Sequence, residues 1–509
     1  MLALALAACS QATSTDVASS VTGTPEVTAP VTGGGSGGGG ASGDASVGHP
    51  IPGDSSPIDT ATLEQRSRAE EDRLDYVDVP PSVLASLSLT SGVRYRVRPV
   101  AGYLKMYEYT LVNTGSGWQE KFLLQAPRLR PTGPRPLVVV FHRYGVSHAD
   151  LLNSGFLPEV MARDWFAICP LGARQRNFGN LESQINIEVA LDLVARLYPI
   201  DTQRVYGVGF SMGGGSAANY AARHVDPNKI RFAAVCDHTG SVSLAHTWAN
   251  EPDDTDVGDN LPLPGDNLEV PDVLEDLFGG TPAVAPFAYQ RCSTIDLDPF
   301  TGLIGVDTDF SRNLGHVPTL VWRAAFDPTA YLVNQTDSFD LHVQTQNAAN
   351  LYQQASSSVH AWSSLDANFV CNWFATHTLT EPNSGSTLAD EDGQWFHFFV
   401  EQDASGSFTP FTWSVDAGTK HVQVSATKNL KRLSFSPAGH GLVLSGAVTI
   451  DLATADATGD EFTILEALQA PISVTRDGVP VAGGYDAQAK TFTIVETDAA
   501  QHQWIVTFP

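Results

Sequence analysis

A pentapeptide with serine at its centre is the feature of this sequence most suited to chemistry. Gly209-Phe210-Ser211-Met212-Gly213 follows the apolar run Val205–Val208 and precedes a small-residue segment, 214–222, that is typical of a helix. Strand, tight turn and helix, with serine at the apex, is the setting that exposes a hydroxyl for nucleophilic attack. The glycines let strand and helix approach, and the turn forces unusual backbone angles on the serine. We therefore interpret Ser211 as a nucleophile; the alternative is a serine that only shapes a turn.

The segments around this pentapeptide alternate between apolar runs and helical patterns. Leu137–Phe141 and Phe166–Cys169 are continuous apolar runs, which are typical of strands buried on both faces. Apolar residues within 184–197 repeat at helical spacing. Further predicted elements are a hairpin formed by 106–112 and 118–124, strands at 232–235 and 319–322, and a closing helix at 365–376. Strands that alternate with helices predict a parallel α/β sheet.

The region from about residue 95 to residue 380 resembles the α/β-hydrolase superfamily. The resemblance rests on the pentapeptide and on Pro318–Pro328, which is similar to the strand and loop that carry the acid in that family. Gly-Phe-Ser-Met-Gly-Gly at 209–214 is closer to the turns of secreted esterases, of the poly(3-hydroxybutyrate) depolymerase-like and feruloyl-esterase-like kind, than to those of prolyl-oligopeptidase-type peptidases. The resemblance implies a triad that runs serine, acid, histidine along the chain.

The same resemblance implies which residues are the acid and the base. Asp327 lies at the acid position, although Arg323-Ala324 stands where the family commonly has His-Gly. His360 lies at the base position, in a loop just before the closing helix. The alternatives are Asp337 or Asp340 as the acid and His342 or His316 as the base. In a non-catalytic interpretation, Asp327 caps a turn before proline and His360 is a surface histidine.

Two backbone N–H groups are expected to stabilise the oxyanion. One belongs to Met212, the residue after the nucleophile, and the other to Tyr144, in the loop after Leu137–Phe141. Arg143 occupies a position where the family commonly has glycine. Tyr144 and Trp362 are expected to border the acyl pocket; the alternative for both is ordinary core packing.

A long segment from about residue 241 to residue 314 interrupts the alternating pattern and is rich in Asp, Pro and Gly. Such an irregular insertion is usually a lid or a binding loop. Four aspartates cluster in it, but no glutamate closes a calcium loop at EF-hand spacing, so we interpret the cluster as a solvated loop. The residues in this cluster are Asp296, Asp298, Asp307 and Asp309. Neither a metal nor a cofactor is expected.

Short alternating segments separated by Gly, Asp and Ala turns fill the chain from residue 381 to residue 509. This spacing predicts an all-β sandwich, an accessory domain after a catalytic domain at 61–380. We predict that the sandwich contributes to adhesion to a polymer or glycan, because of its position after the catalytic domain and its three tryptophans, Trp395, Trp413 and Trp504.

The chain of 509 residues has a net charge of −27, which argues against nucleic acid or an anionic membrane surface as partner. The first nine residues are apolar and end in Leu-Ala-Ala-Cys, which resembles a bacterial lipobox with Cys9 lipidated. Residues 10–60 are rich in Gly, Ser and Thr, the composition of a flexible tether. We therefore expect an exported protein that meets a membrane only through a lipid anchor; the sequence leaves its oligomeric state open.

Four further cysteines permit disulfides in an exported protein. Cys169 lies in a predicted strand and Cys371 on a predicted helix, so both are expected to be core thiols. Cys236 and Cys292 lie in less regular sequence and are the candidate disulfide.

Together these features predict an exported serine hydrolase that cleaves carboxylic esters, with polyesters and plant-polymer esters as candidate substrates. Two alternatives remain: a serine peptidase of the same fold, and a non-catalytic surface-binding protein.

Overall fold

The computed structural model describes residues 75–84, 92–251, 269–426, 428–454 and 459–509. The lipobox at 1–9, including Cys9, and the tether at 10–60 therefore lie outside the described residues. Within the described part, a ten-stranded mixed sheet with helices precedes two all-β sheets of seven and six strands. The prediction of an α/β sheet with helices, followed by an all-β sandwich, is confirmed.

In the large sheet, the carboxyl ends of the parallel central strands lie together along one side, here called the carboxyl edge; the opposite side is the amino edge. Its order is β1-β2-β3-β4-β6-β5-β7-β8-β9-β10, antiparallel from β1 to β6 and parallel from β6 to β10. The predicted hairpin is β3 and β4. The strands are β1 (Val77–Asp78), β2 (Val93–Pro99), β3 (Met106–Asn113), β4 (Trp118–Gln125), β5 (Arg135–Phe141), β6 (Phe166–Pro170), β7 (Ile200–Phe210), β8 (Ala234–His238), β9 (Thr319–Ala324) and β10 (Leu351–Ala355).

Helices cover both faces of this sheet, because alternate residues of the buried strands face opposite sides. Val139 of β5 packs in one apolar cluster with α2 and α3, whereas its neighbour Val140 packs in another with α1 and α8. The helices are α1 (Phe156–Ala162), α2 (Leu181–Leu197), α3 (Met212–Arg223), α4 (Leu244–Asn250), α5 (Val270–Phe278), α6 (Pro286–Arg291), α7 (Ala330–Val343) and α8 (Ala367–Phe374).

The described part of the insertion, residues 241–251 and 269–314, is more regular than its composition suggests, because it contains α4, α5 and α6. In α5, Val273 and Leu274 are buried, and the helix ends at Gly279 with φ at 83°. The glycine therefore adopts a left-handed conformation that suits a helix end. The apolar residues of α5 recur at helical spacing, so a helix forms within a segment whose Asp, Pro and Gly content predicts an irregular insertion.

The C-terminal part is a sandwich whose two sheets share an aromatic core. Phe398 of one sheet packs against Trp413 of the other, with ring centroids 5.1 Å apart. The first sheet has the order β11-β14-β15-β17-β23-β19-β20, and the second has the order β12-β13-β16-β18-β22-β21. The strands are β11 (Ser384–Ala389), β12 (Gly393–Trp395), β13 (Phe398–Gln402), β14 (Thr409–Asp416), β15 (His421–Ala426), β16 (Leu430–Phe435), β17 (Gly446–Ala453), β18 (Asp460–Ile464), β19 (Ser473–Arg476), β20 (Val479–Pro480), β21 (Gly484–Asp486), β22 (Thr491–Glu496) and β23 (His502–Phe508).

The three tryptophans that motivated polymer adhesion are core residues. Trp395, Trp413 and Trp504 are 3%, 3% and 5% exposed. Their rings cannot stack on a polymer without unfolding the sandwich, so these tryptophans do not form the predicted adhesion surface.

The sandwich and the α/β part, which is formed by the described residues before β11, share one core and an interface with buried ion pairs, here called the seam. Phe310 of the α/β part packs against Trp395 of the sandwich, with ring centroids 6.3 Å apart. Asp390, whose side chain is fully buried, pairs with Arg223 at 2.9 Å and with Arg291 at 2.6 Å. All the described residues accordingly belong to one compact unit.

This seam lies at the amino edge of the parallel strands. Arg231, just before β8, pairs with Glu381, and the ring of His316, just before β9, packs 4.8 Å from that of Phe396. Arg223 is the last residue of α3, a helix of 12 residues and therefore about 18 Å long. The sandwich is attached to the opposite edge of the sheet from Ser211, which precedes α3.

The predicted disulfide is absent. Cys169, Cys236, Cys292 and Cys371 are all free and buried. Cys236 lies in β8 and packs with α1 and α8, whereas Cys292 follows α6 and packs with Met212 and α5. The two thiols belong to different apolar clusters, which is why they cannot pair.

No helix among the described residues combines the length and apolar character that crossing a membrane requires.

Candidate active site

Ser211 occupies the sharp turn between β7 and α3. Its backbone angles are φ 59° and ψ −124°, a strained combination for a residue with a side chain. A Cβ on Gly209 would lie 1.9 Å from the carbonyl oxygen of Gly213, and one on Gly213 would lie 2.2 Å from that of Phe141. Both glycines are therefore needed for strand and helix to pass this closely, and the turn exposes the serine hydroxyl.

The structure brings Ser211, His360 and Asp327 together. The Oγ of Ser211 lies 2.9 Å from Nε2 of His360, and Nδ1 of the same ring lies 2.8 Å from Oδ2 of Asp327. With the ring proton on Nδ1, His360 donates to the carboxylate and Nε2 can accept the serine proton. This is the geometry in which a histidine acts as general base toward a hydroxyl.

Asp327 is held as an ionised acceptor. Its side chain is fully buried, and its Oδ1 accepts the backbone N–H of Thr329 at 2.9 Å. Burial by itself raises the pKa of Asp327, but the hydrogen bond and charge of His360, with the Thr329 contacts, outweigh it and lower the pKa below its ordinary value. The carboxylate can therefore orient the imidazole and stabilise its protonated form.

The loops that carry the acid and the base are joined by their backbones. Ala325 N–H donates to Ala355 O at 2.8 Å, and Phe326 N–H donates to Ser357 O at 2.9 Å. These bonds continue the parallel pairing of β9 and β10 beyond the strand ends. The sequence pattern does not indicate β10 clearly, because the side chains of this strand are only partly buried and mostly polar.

The alternative acids and bases lie elsewhere. Asp337 pairs with Nε of Arg323 at 2.7 Å, which gives this arginine a structural role in the acid strand. Asp340 accepts from Gln344 at 2.6 Å, and His342 lies 2.5 Å from Asp309. His316 is part of the seam at the amino edge of the sheet.

The predicted oxyanion donors flank the turn. Met212 is the first residue of α3, so its N–H has no acceptor within the helix. Tyr144 follows β5, and its ring packs 5.5 Å from that of Phe178, with the Arg176 guanidinium 5.5 Å above it. Burial raises the pKa of Tyr144 to about 12, so its hydroxyl stays neutral.

The insertion covers this side of the turn. Met212 packs in one apolar cluster with Leu244 of α4 and with Val273 and Leu274 of α5, and Tyr144 packs against the same cluster. Trp248 of α4 donates its indole N–H to Glu275 of α5 at 2.8 Å, which ties these two helices together. The insertion therefore supports the residues beside the predicted oxyanion site.

Trp362 does not border an open pocket. It is 3% exposed, and its indole N–H donates to Oδ2 of Asp150 at 2.9 Å. Its ring lies 5.5 Å from that of Phe210, directly beneath the turn. Core packing, the alternative left open for this residue, is what the structure shows.

Comparison with known proteins identifies distant structural neighbours. No protein-family model matches the chain, and neither does any curated protein. Among solved structures, an S-formylglutathione hydrolase from Agrobacterium tumefaciens matches at 13% identity and a TM-score of 0.39, covering 55% of this chain and 98% of that one. A ferulic acid esterase matches at 16% and 0.38, covering 53% and 97%. An acylaminoacyl peptidase from Pyrococcus horikoshii matches at 10% and 0.37, covering 56% and 54%.

The chain's own topology confirms the predicted mixed α/β sheet, with Ser211 at the turn between β7 and α3. The predicted order of serine, acid and histidine along the chain is the order in which the three contacting residues occur.

His238 is a site residue that the sequence did not reveal. It ends β8 and is fully buried, with Nε2 3.2 Å from Ala361 O and 3.0 Å from Oγ of Ser364. Its ring lies 4.6 Å from that of Phe210, which in turn lies 4.5 Å from that of His360. Burial lowers the pKa of His238 to about 4, so it is a neutral support for the His360 loop. The sequence signal that could have indicated His238 is its position at the end of β8, the strand that pairs with β7 next to Ser211.

Glu251, directly after α4, is a second residue that the sequence did not reveal. Burial raises the pKa of Glu251, while a hydrogen bond with Tyr331 and the charge of His360 oppose this rise. Its carboxyl group therefore lies within electrostatic reach of the base.

Among the described residues, no three His, Cys, Asp or Glu side chains form a group suited to a metal ion.

Proposed function

We propose that this protein is a serine hydrolase of carboxylic esters that works through an acyl-enzyme. The observation that carries the proposal is a pair of hydrogen-bond contacts that joins the three residues. Ser211 Oγ lies 2.9 Å from His360 Nε2, and His360 Nδ1 lies 2.8 Å from Asp327 Oδ2. The strained turn at Ser211 adds to it, because such strain persists where a side chain must be presented for reaction.

In the first half-reaction, Ser211 Oγ attacks the ester carbonyl while His360 Nε2 takes the hydroxyl proton. The N–H groups of Met212 and Tyr144 stabilise the oxyanion that forms. The C–O bond to the alcohol then breaks, and His360 returns its proton to the departing oxygen. In the second half, His360 activates a water molecule that hydrolyses the acyl-enzyme, and Ser211 regains its proton.

Apolar side chains beside the acid and the base support an ester with an apolar portion. Phe326, next to Asp327, is 71% exposed, and Val359, next to His360, is 48% exposed. Both residues hydrogen-bond through their backbones to Ser357, so they belong to one rim. Exposed apolar groups at the mouth of a site favour contact with apolar substrate surface. Polyesters and hydroxycinnamoyl esters of plant polymers are the polymeric candidates.

The decisive experiment combines a mechanism-based probe with a substrate panel. We expect a fluorophosphonate probe to label the wild type but not Ser211→Ala, and p-nitrophenyl butyrate to be cleaved faster than aminoacyl p-nitroanilides. Folded wild-type protein that resists the probe would contradict a catalytic function. Preferential cleavage of the anilides would instead identify a peptidase of the same fold.

A second proposal concerns location. The lipobox-like sequence that ends at Cys9 supports export with a lipid anchor on that cysteine. Expressed in a bacterial host, the wild type should incorporate labelled fatty acid and fractionate with membranes. Cys9→Ser should lose the label; unchanged labelling of this variant would contradict the assignment.

A further inference from the structure

A buried carboxylate touches both loops that complete the site. Asp150 lies in the turn His148–Leu152, and its side chain is 0% exposed. Its Oδ2 accepts the backbone N–H of Arg143 at 3.1 Å and the indole N–H of Trp362 at 2.9 Å. The first donor is next to Tyr144, and the second is two residues after His360.

The guanidinium of Arg143 neutralises this carboxylate. Nε of Arg143 lies 3.3 Å from Oδ1 of Asp150, and the arginine side chain is 32% exposed. This pairing gives the arginine at the position of the family's glycine a physical role. A buried ion pair adds little net stability, because desolvation of the two charges offsets their attraction. His142 and Cys169 also lie within electrostatic reach of this carboxylate.

The link to the base runs through packed rings. The Trp362 ring lies 5.5 Å from that of Phe210, and the Phe210 ring lies 4.5 Å from that of His360. A shift of the indole would therefore displace the support of the imidazole. Because rigid contacts of this kind set reacting distances, a displacement of about 1 Å can reduce a rate by about 100-fold.

We propose that Asp150 is a positioning residue that fixes the oxyanion loop and the His360 loop relative to each other. This inference rests on the proposed ester hydrolase function, since it assigns Asp150 a role in that reaction. Because Asp150 is fully buried and contacts Arg143 and Trp362, its loss should slow the chemical step while binding of the ester changes little.

The test uses the full chain with Asp150→Asn, Trp362→Phe and the double variant, and p-nitrophenyl butyrate as substrate. Rates are normalised to the sites titrated by the fluorophosphonate, so that unfolded protein does not count. We expect Asp150→Asn to lower kcat about 10- to 100-fold with KM within about twofold, and Trp362→Phe to lower kcat less. The double variant should lose little more than Asp150→Asn alone, because both changes weaken the same link between the two loops.

A matched control is Asp390→Asn, which changes another buried carboxylate paired with arginine, at the seam with the sandwich. It should lower the melting temperature but leave kcat per titrated site unchanged. If Asp150→Asn keeps the wild-type kcat, or if its loss and that of Trp362→Phe multiply fully, the positioning role is wrong. If Asp150→Asn does not fold, an unchanged kcat in Trp362→Phe overturns it. Wild-type protein that is inert to ester and probe would instead defeat the proposed function itself.

Discussion

The backbone N–H of Ser211 donates a hydrogen bond to the carbonyl oxygen of His238 over 3.0 Å. The ring of His238 reaches the chain at Ala361, beside the base, with Nε2 3.2 Å from its carbonyl oxygen. One buried residue at the end of β8 therefore contacts the nucleophile's backbone and the loop of His360. The distance between serine and imidazole is set by this strand as well as by the two loops.

Loss of the acid should slow catalysis strongly. In Asp327→Asn, the amide can no longer hold the imidazole with its proton on Nδ1, so His360 becomes a poor acceptor for the Ser211 proton. We expect kcat for p-nitrophenyl butyrate to fall about 10³- to 10⁴-fold at neutral pH, as removal of the acid does in Ser-His-Asp enzymes. Asp340→Asn, which changes an alternative acid, should retain activity. Equal losses in the two variants would contradict the assignment of Asp327.

The turn at Ser211 should not tolerate a methyl group. A Cβ on Gly213 would lie 2.2 Å from the carbonyl oxygen of Phe141, whereas one on Gly133 would have no heavy atom within 4 Å. We therefore expect Gly213→Ala to lose fluorophosphonate labelling and to unfold at lower temperature, while Gly133→Ala behaves as the wild type. Normal labelling of Gly213→Ala would show that strand and helix can separate without loss of function.

The sandwich contains a histidine that should make the protein acid-sensitive. His440 is 8% exposed, neither of its ring nitrogens has a hydrogen-bond partner in the structure, and burial lowers its pKa to about 4. An unfolded histidine titrates near pH 6.5, so between pH 6.5 and about 4 the unfolded chain binds the proton first. Stability is therefore lost as pH falls through this window, by at most about 3 kcal/mol from this residue at pH 4.

Replacement of this histidine tests the argument by calorimetry across pH. His440→Phe should be at least as stable as the wild type at pH 8 and should lose less stability at pH 5. His502→Phe is the opposite control, because hydrogen bonds with Asp498 and Asp477 raise the pKa of His502. That contribution is present below pH 6.5 and disappears as pH rises through the folded pKa, so this variant should be weakened mainly at acid pH. Parallel pH profiles for His440→Phe and the wild type would contradict the assignment.

The seam between the two parts should matter for stability alone. In Asp390→Ala, Arg223 and Arg291 lose a buried partner, and breaking such a pair costs about 3–5 kcal/mol in the free energy of unfolding. We expect activity on a soluble ester and on a polyester film to fall in the same proportion, that of the folded fraction. A selective loss on the film would restore a role for the sandwich in substrate adhesion.

The cysteines should behave as buried thiols. Alkylation after unfolding without reductant, followed by mass spectrometry, should modify Cys236 and Cys292 fully, and neither should react in the native protein. A peptide that links the two residues would contradict the structure.

The sequence allowed prediction of residues whose position follows from chain order on a parallel sheet. Ser211, Asp327 and His360 each follow a strand at one edge, so a motif and its spacing were enough to group them. Residues that depend on packing between distant segments were beyond that reasoning. Trp362 resembled a pocket residue because nothing nearby in sequence indicates its bond to Asp150, 212 positions away. The burial of the sandwich tryptophans could not be predicted for the same reason, because it depends on how the two sheets of the sandwich pack against each other.

The attachment of the sandwich to the amino edge of the large sheet has a practical consequence for work at surfaces. Tyr144, Ser211, Phe326 and His360 all lie in loops at the other edge. Coupling the protein to a bead or electrode through the outer strands of the sandwich would therefore orient the molecules with Ser211 toward the medium. Random coupling through surface amines would leave part of the population facing the support.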